Sequence, residues 1–337
     1  MRILVFLISL LIFVSLLSTK SSAEWNSDSL IGDVLIALGD TKPDHARPNA
    51  SEEEIKRGYD LVYYGKTTDP KGKRSSYISK YYMCTSCHNQ VQEDPDLTKS
   101  DPEKRLDYLS EKGLKFLQAS TFYGIANRER WYGGDYYKKY GDLVKPANKS
   151  LAEATQLCAK VCSSGRYLDD WELEAILAYY WTMQMKLSDL ELSEGEMKDV
   201  LISLEKGKNS DELVKLLKSK YLTELPVEFG ELPQRMDLGY EHEGNAENGK
   251  KIYELSCQAC HQKGGVSTVL LEDDKATMKK FVNHLSKNTD FNLYNIIRHG
   301  TYIENGKPRY MPLYPKEKLS DQQIEDLRAY IEDQAKN

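Results

Sequence analysis

The chain has 337 residues, of which 40% are hydrophobic, and a formal net charge of −6 at pH 7. A chain of this length is expected to form about two domains, each large enough to bury a core of its own. The acidic balance argues against nucleic acids and anionic membranes as partners, while it leaves room for a local basic patch that binds a small anion.

The N-terminal residues 1–23 have the pattern of a secretory signal peptide. Arg2 gives a basic start, residues 3–17 form an apolar run, and residues 21–23 offer small side chains for cleavage. The run is shorter than the roughly 20 residues that a membrane-spanning helix needs, so we expect no stable span, with a permanent anchor as the alternative. The sequence therefore predicts an exported protein that works in the periplasm.

Two short motifs of the form C-x-x-C-H carry the clearest chemical signal in the chain. In this pattern two thiols form thioether bonds to the vinyl groups of a porphyrin, and the adjacent histidine is placed to ligate the iron. A redox pair or half of a zinc site is the alternative, but each zinc pattern needs further spaced ligands that the sequence lacks. We therefore predict two covalently bound haem c groups. They would be held by Cys84, Cys87 and His88 in the first motif and by Cys257, Cys260 and His261 in the second.

An internal repeat supports a division into two similar halves. Residues 168–179 match residues 319–330 in register, and both stretches indicate a capped helix whose apolar face ends in Ala-Tyr. Gly58 precedes the first motif as Gly249 precedes the second, although a longer segment intervenes in the first half. The arrangement resembles class I cytochrome c, in which the N-terminal helix crosses the C-terminal helix at a glycine and an aromatic residue. The resemblance implies a mainly α protein with two tandem cytochrome c-like helical domains.

Composition and periodicity give the remaining boundaries. Ser51 and Glu54 form a capping box that opens a helix, after an arm that is rich in helix breakers. A charged segment with two amphipathic stripes follows the first domain and predicts two helices packed between the domains. The predicted layout is a signal peptide at 1–23, an N-terminal arm at 24–50, a first domain at 51–186, a charged helical linker at 187–241 and a second domain at 242–337.

The second domain offers a second protein ligand for its iron. Met311 is followed by Pro312 and stands between the haem motif and the closing helix. The stretch resembles class I cytochromes c, in which a Met-Pro pair supplies the distal ligand, and this resemblance implies iron held by His261 and Met311. A thioether ligand raises the reduction potential. His299 is the competing ligand, and a role as a flexible core filler is the alternative for Met311.

The first domain lacks a Met-Pro pair, and the equivalent stretch contains Cys158 and Cys162. The run over residues 150–168 resembles the segment around the ligating cysteine of dihaem thiosulfate dehydrogenases and related sulfur-oxidising cytochromes. In that register Cys158 is the implied iron ligand, and Gly165 and Arg166 occupy the positions of the family's glycine and basic residue. A thiolate lowers the reduction potential of its iron. Ligation by Cys162 and a disulfide between the two cysteines are the alternatives.

Three arginines are candidates for a substrate site. Arg128, Arg130 and Arg166 would hold a small sulfur oxyanion such as thiosulfate near the first haem, because a guanidinium suits oxyanions. Neutralising the haem propionates is the role that we favour for them, because every buried propionate needs a partner. The leading hypothesis is a periplasmic dihaem cytochrome that carries electrons between redox partner proteins, entering at the first haem and leaving at the second. The alternative is an oxidoreductase that oxidises the sulfur oxyanion at the thiolate-ligated haem.

Overall fold

The computed structural model describes residues 25–287, 289, 291–301 and 310–336. The predicted signal peptide therefore lies outside the described residues. Within the described ranges the chain is mainly α-helical, as predicted, and β structure is limited to isolated bridges. None of the helices in these ranges combines the length and the hydropathy that crossing a membrane requires.

Short α-helices follow one another through the described part of the chain. In chain order they are α1 (Ile31–Ala37), α2 (Glu52–Tyr64), α3 (Pro102–Glu111), α4 (Tyr136–Tyr140), α5 (Val144–Lys149), α6 (Leu151–Leu157), α7 (Asp170–Trp181), α8 (Glu194–Glu205), α9 (Asp211–Lys218), α10 (Ala246–Ile252), α11 (Gln258–His261), α12 (Lys275–Leu285), α13 (Leu293–His299) and α14 (Asp321–Lys336). A 3₁₀ turn covers Cys84–Ser86, and π-helical turns cover Cys158–Cys162 and Tyr253–Cys257. These irregular turns lie at the cysteines of the predicted haem sites, in keeping with the frequent use of π turns at functional positions.

The first helical unit is built on the crossing of α2 and α7. Gly58 of α2 lies against the backbone of α7, and a Cβ at this position would overlap the carbonyl oxygen of Ala175 and crowd Tyr179. Ser51 caps α2 by accepting a hydrogen bond from the N–H of Glu54 at 3.2 Å, at the predicted helix start. The close approach of the two helices therefore requires glycine.

The second unit repeats this crossing with α10 and α14. A Cβ on Gly249 would overlap the carbonyl oxygen of Asp326 and crowd Tyr330. Helix α14 begins at a reciprocal cap, because the N–H of Gln323 donates to the Ser320 hydroxyl and the N–H of Ser320 donates to the Gln323 side chain, each at 3.1 Å. The two crossings are equivalent in the register of the internal repeat.

A third core forms outside the two crossings. The predicted linker helices are α8 and α9, and their apolar residues pack with α1 and with the segment that follows α7. Its buried members include Ile31, Val34, Val200, Leu204 and Leu217. The predicted N-terminal arm is thus partly helical and packs with the linker.

Helix α3 packs with the second unit although it precedes it by more than a hundred residues. Leu106, Leu109 and Phe116 belong to the same buried cluster as the apolar residues of α10 and α14. The N–H of Phe116 also donates to the carbonyl of Leu255 at 3.0 Å. The predicted first domain at 51–186 is therefore not a separate packing unit, because one of its helices completes the core of the other half.

A buried ion cluster joins the same two parts of the chain. Arg105 and Glu93 are fully buried and 3.2 Å apart, and the ammonium of Lys318 lies 3.3 Å from the Glu93 carboxylate. The side-chain amide of Asn89 donates to the same carboxylate at 2.7 Å. These contacts hold the pKa of Glu93 below its ordinary value even though burial opposes them. The carboxylate is therefore charged and saturated with donors, as a buried ion must be.

Candidate functional site

The first C-x-x-C-H motif places its histidine in a defined orientation. His88 Nδ1 lies 2.6 Å from the backbone carbonyl of Ser120, and the imidazole stacks on Phe122 with the ring centroids 4.3 Å apart. Since a carbonyl can only accept, Nδ1 carries the proton and Nε2 keeps its lone pair. Burial lowers the pKa of His88 to about 4, so the imidazole is neutral at neutral pH. Such a histidine is oriented as a metal ligand is.

The second motif has the same arrangement in a more open setting. Cys257 ends the π-helical turn and Cys260 and His261 belong to α11. His261 Nδ1 lies 2.8 Å from the backbone carbonyl of Val269, which again leaves Nε2 with its lone pair. Both predicted proximal histidines therefore have one ring nitrogen fixed by the backbone and the other available to iron.

A large cavity adjoins the first motif. It contains about 1570 Å³ of empty space, part of which is open to solvent. Its walls carry the first motif's cysteines and histidine as well as Cys158 and Cys162. Trp131 also lines it, and the indole Nε1 of Trp131 is buried with no hydrogen-bond partner among the described residues. The cavity thus combines thiols, an imidazole and an unsatisfied donor.

Cys158 and Cys162 form a hydrogen-bonded pair at the two ends of their π-helical turn. Neither sulfur is in a disulfide. The Cys162 sulfur lies 3.3 Å from the hydroxyl of Tyr132 and 3.4 Å from that of Tyr140. The hydrogen bond with Cys158 lowers the pKa of Cys162 to about 6, with further help from the two tyrosines, while the pKa of Cys158 is raised. Cys162 is therefore the more acidic thiol of the pair.

Comparison with known proteins assigns the family. The family described as cytochrome C oxidase, cbb3-type, subunit III, matches residues 244–331, which include the second motif. Cytochrome c6 from Parathermosynechococcus lividus is 31% identical over 88 residues, which make up 26% of this chain and 88% of that protein. The chain belongs to the c-type cytochromes. No solved structure gives a significant match.

As a c-type cytochrome, the protein binds haem c covalently and exchanges electrons with redox partner proteins. Its own residues fit that group. Each motif of the cytochrome offers two thiols beside a histidine with a free Nε2, and the cavity next to the first motif holds a buried indole N–H that lacks an acceptor. A propionate oxygen is an acceptor of the required kind. Attachment through the individual cysteines and the choice of iron ligands stay predictions.

The predicted methionine ligand of the cytochrome is joined to Thr301 by an antiparallel bridge. The N–H of Met311 donates to the hydroxyl of Thr301 at 2.7 Å, and the N–H of Thr301 donates to the Met311 carbonyl at 2.9 Å. Met311 is partly buried against the second core, whereas the competing His299 is exposed at the end of α13. The exposure of His299 favours Met311 over it as the predicted ligand.

The three candidate arginines of the cytochrome are placed differently. Arg128 and Arg130 line the cavity, and Arg128 donates to the Ser120 hydroxyl at 3.2 Å and to the Thr121 carbonyl at 3.0 Å. Arg166 forms a bidentate pair with the buried carboxylate of Glu172 and donates to three backbone carbonyls. Arg166 therefore has a structural role, and the structure brings only the other two to the cavity.

Sequence reasoning missed that the two motifs of the cytochrome lie side by side. The Cys260 sulfur is 3.9 Å from the carbonyl oxygen of Ser86, which stands inside the first motif. Tyr82 lies just before that motif, and its hydroxyl donates to the carbonyl of Tyr310 at 2.7 Å. The rings of these tyrosines are also in edge contact, with centroids 6.2 Å apart. The aromatic residues next to both predicted sites were a signal, but tyrosines also occur there as ordinary packing.

Proposed function

We propose that the protein is a periplasmic dihaem cytochrome that carries electrons between redox partner proteins, with one haem at each C-x-x-C-H motif. The observation that carries this proposal is the contact between the motifs, with the Cys260 sulfur 3.9 Å from the Ser86 carbonyl. Groups bound at both motifs would have their edges close together, so an electron could pass from one to the other inside the protein.

Equivalent local geometry supports two haems rather than one. His88 and His261 both donate from Nδ1 to a backbone carbonyl, at 2.6 Å and 2.8 Å, and both motifs follow a helix whose glycine crosses a closing helix. A disulfide redox pair would not need this histidine orientation, and a zinc site would need a group of three or more His, Cys, Asp or Glu ligands, which the described part of the chain does not contain. The repeated crossing therefore supports two sites of the same kind.

Unequal distal ligands would give the electron a direction. The first iron would be held by His88 and Cys158, and the second by His261 and Met311. A thiolate lowers the reduction potential and a thioether raises it, so electrons would enter at the first haem and leave from the second. The raised pKa of Cys158 in the haem-free pair does not oppose this role, because a ligated metal deprotonates a thiol. The residues at 1–23 support export to the periplasm.

Haem counting tests the proposal directly. The absorbance of the pyridine haemochrome, divided by the protein concentration, is expected to give two haems per chain. Replacing Cys84 and Cys87 by alanine, or Cys257 and Cys260 by alanine, should remove one haem each. Cys162→Ala is the matched control and should keep both. A wild-type value of one haem per chain would contradict the proposal.

Ferric electron paramagnetic resonance tests the cysteine ligand. Cys158→Ala should abolish the signal of a thiolate-ligated low-spin haem, whereas Cys162→Ala should retain it. The opposite pattern would assign the ligand to Cys162, and the absence of a thiolate signal from the wild-type protein would exclude a cysteine ligand.

Oxidation of a small sulfur oxyanion is the second candidate function. It is favoured by the placement of Arg128 and Arg130 on the wall of the cavity that also holds Cys158 and Cys162. Thiosulfate should then reduce the fully oxidised protein anaerobically, with ascorbate as the control reductant, and Arg130→Ala should slow that reduction. A protein that ascorbate reduces and thiosulfate leaves oxidised would be an electron carrier only.

A further inference from the structure

A basic hairpin precedes the first motif. Residues 66–80, called the basic hairpin below, carry five cationic side chains and one acidic side chain, Asp69, within a chain whose net charge is −6. The cationic residues are Lys66, Lys71, Lys73, Arg74 and Lys80. The corresponding part of the second half is much shorter, because Gly249 is followed almost directly by Cys257. The hairpin is therefore an addition that the haem motif itself does not need.

Backbone contacts hold the basic hairpin in one shape. An antiparallel bridge joins Thr68 and Arg74, and the Asp69 carboxylate accepts from the N–H groups of Lys71 and Lys73, each at 2.8 Å. The aspartate side chain thus stabilises the turn at the tip of the hairpin, as aspartate commonly does in tight turns. The cationic side chains project from an ordered element.

The far end of the hairpin is fixed to the segment that carries the two cavity cysteines. Arg166 donates to the carbonyl of Ser76 at 3.0 Å and to that of Tyr77 at 3.3 Å. The Ser79 hydroxyl donates to the carbonyl of Ser163 at 2.6 Å. The basic hairpin is therefore anchored beside the first predicted haem site, and its residue Ile78 lines the cavity.

Apolar and aromatic side chains are exposed beside these charges. Tyr77 is 50% exposed, Tyr81 is 41% exposed and Met83, which also lines the cavity, is 44% exposed. The ammonium of Lys66 sits over the Tyr77 ring, 4.1 Å from its centroid. Exposed tyrosine and methionine with a cationic rim is the composition of a protein interface rather than of an ordinary solvated loop.

The cationic side chains at the tip are free to meet a partner. Lys71, Lys73, Arg74 and Lys80 are all exposed, and none of them is ion-paired with another residue of the described ranges. Unpaired like charges on one element repel each other and create a local positive field on an otherwise acidic protein. An acidic surface brought against them would relieve that repulsion.

We propose that the basic hairpin, with Tyr77, Tyr81 and Met83, is the docking surface for an acidic electron-transfer protein that exchanges electrons at the first haem. The inference rests on the proposed dihaem function and adds the surface and the charge of the partner. A protein is favoured over an anionic bilayer because the aromatic residues lie beside the haem motif and because the remaining surface of this acidic chain would be repelled by anionic lipid.

The test uses the mature holoprotein in its reduced form and an oxidised acidic blue-copper protein as the probe, so that the electron passes from the low-potential first haem to the copper. Two quantities are measured at low and high salt, namely the dissociation constant by calorimetry and the second-order rate constant of electron transfer by stopped flow. Lys71→Glu, Lys73→Glu and Arg74→Glu are combined in one variant. The matched control carries Lys198→Glu, Lys206→Glu and Lys208→Glu, which change the same net charge at exposed positions of the linker.

We expect the hairpin variant to weaken binding and to slow electron transfer at low salt by about tenfold or more, and to lose most of the salt dependence. The control should change either quantity by less than about threefold. Equal losses in the two variants would overturn the proposal, because net charge alone would then explain them.

Two further measurements keep the interpretation clear. The haemochrome ratio of each variant reports the haem count, so failure of the dihaem function is recognised separately from failure of docking. Co-sedimentation with phosphatidylglycerol vesicles tests the other occupant, and hairpin-dependent binding to vesicles without binding to the acidic protein would overturn the proposal in favour of a membrane surface.

Discussion

Replacing the crossing glycines with alanine is the sharpest test of the fold. Gly58 and Gly249 each face a backbone carbonyl of the opposing helix, and a Cβ there would overlap that oxygen. Overpacking costs about 1–3 kcal/mol, and the upper end applies because a backbone cannot rotate away. Alanine regains about 1 kcal/mol of helix propensity, so Gly58→Ala and Gly249→Ala should each lower the free energy of unfolding by about 2 kcal/mol.

The assay is thermal unfolding of the holoprotein, followed by the helical circular dichroism signal at about 222 nm. Gly58→Ala and Gly249→Ala should each lower the midpoint temperature by about 4–8 °C. Gly195→Ala is the matched control. Gly195 lies in α8, and no heavy atom lies within 4 Å of a Cβ built there. This variant should be unchanged or more stable by up to about 1 kcal/mol. If all three variants behave alike, the helix crossings do not depend on close backbone contact and the reasoning is wrong.

Three other predictions concern buried charge and iron ligation. Burial raises the pKa of Glu317 from 4.5 to about 7, so between these pH values the native state keeps a proton that the unfolded state releases. The free energy of unfolding therefore falls as the pH rises from 4.5 to 7. Glu317→Gln should remove roughly 3 kcal/mol of that pH dependence in urea unfolding, and an unchanged profile would contradict it. Glu93→Ala leaves Arg105 and Lys318 buried without their counter-ion and should cost about 3–5 kcal/mol of unfolding free energy, measured against the milder Glu93→Gln. Met311→Leu should lower one of two midpoint potentials in a spectroelectrochemical titration, because it removes the thioether; two unchanged potentials would exclude Met311 as a ligand.

Local sequence patterns predicted the helices of the two crossings and of the linker. The capping residues Ser51 and Ser320 and the glycines of the two crossings act through contacts a few residues away or through a requirement for small size. Such requirements can be recognised in a single sequence because few residue types satisfy them. The mainly α fold and the internal repeat could therefore be read before the structure.

Contacts between distant segments could not be predicted from the sequence in this way. Leu106 and Leu109 have the periodicity of any amphipathic helix, and nothing in that pattern says which core they join. The ion cluster of Glu93, Arg105 and Lys318 is equally hidden, since charged residues are common on surfaces. The candidate site was predictable as motifs, whereas the contact between the motifs depends on these long-range contacts.

The packing of α3 in the core of the second unit has a consequence for how the newly synthesised chain folds. Ribosomes release the N-terminal half first, so Leu106, Leu109 and Phe116 emerge well before the residues of α10 and α14 that bury them. During that interval an apolar helix stands without its partner, and transient exposure of this kind invites aggregation or requires a chaperone. Cutting the gene within the linker would make the same condition permanent, because each fragment would contain part of the second core. The two halves therefore depend on each other for folding, although their sequences form an internal repeat.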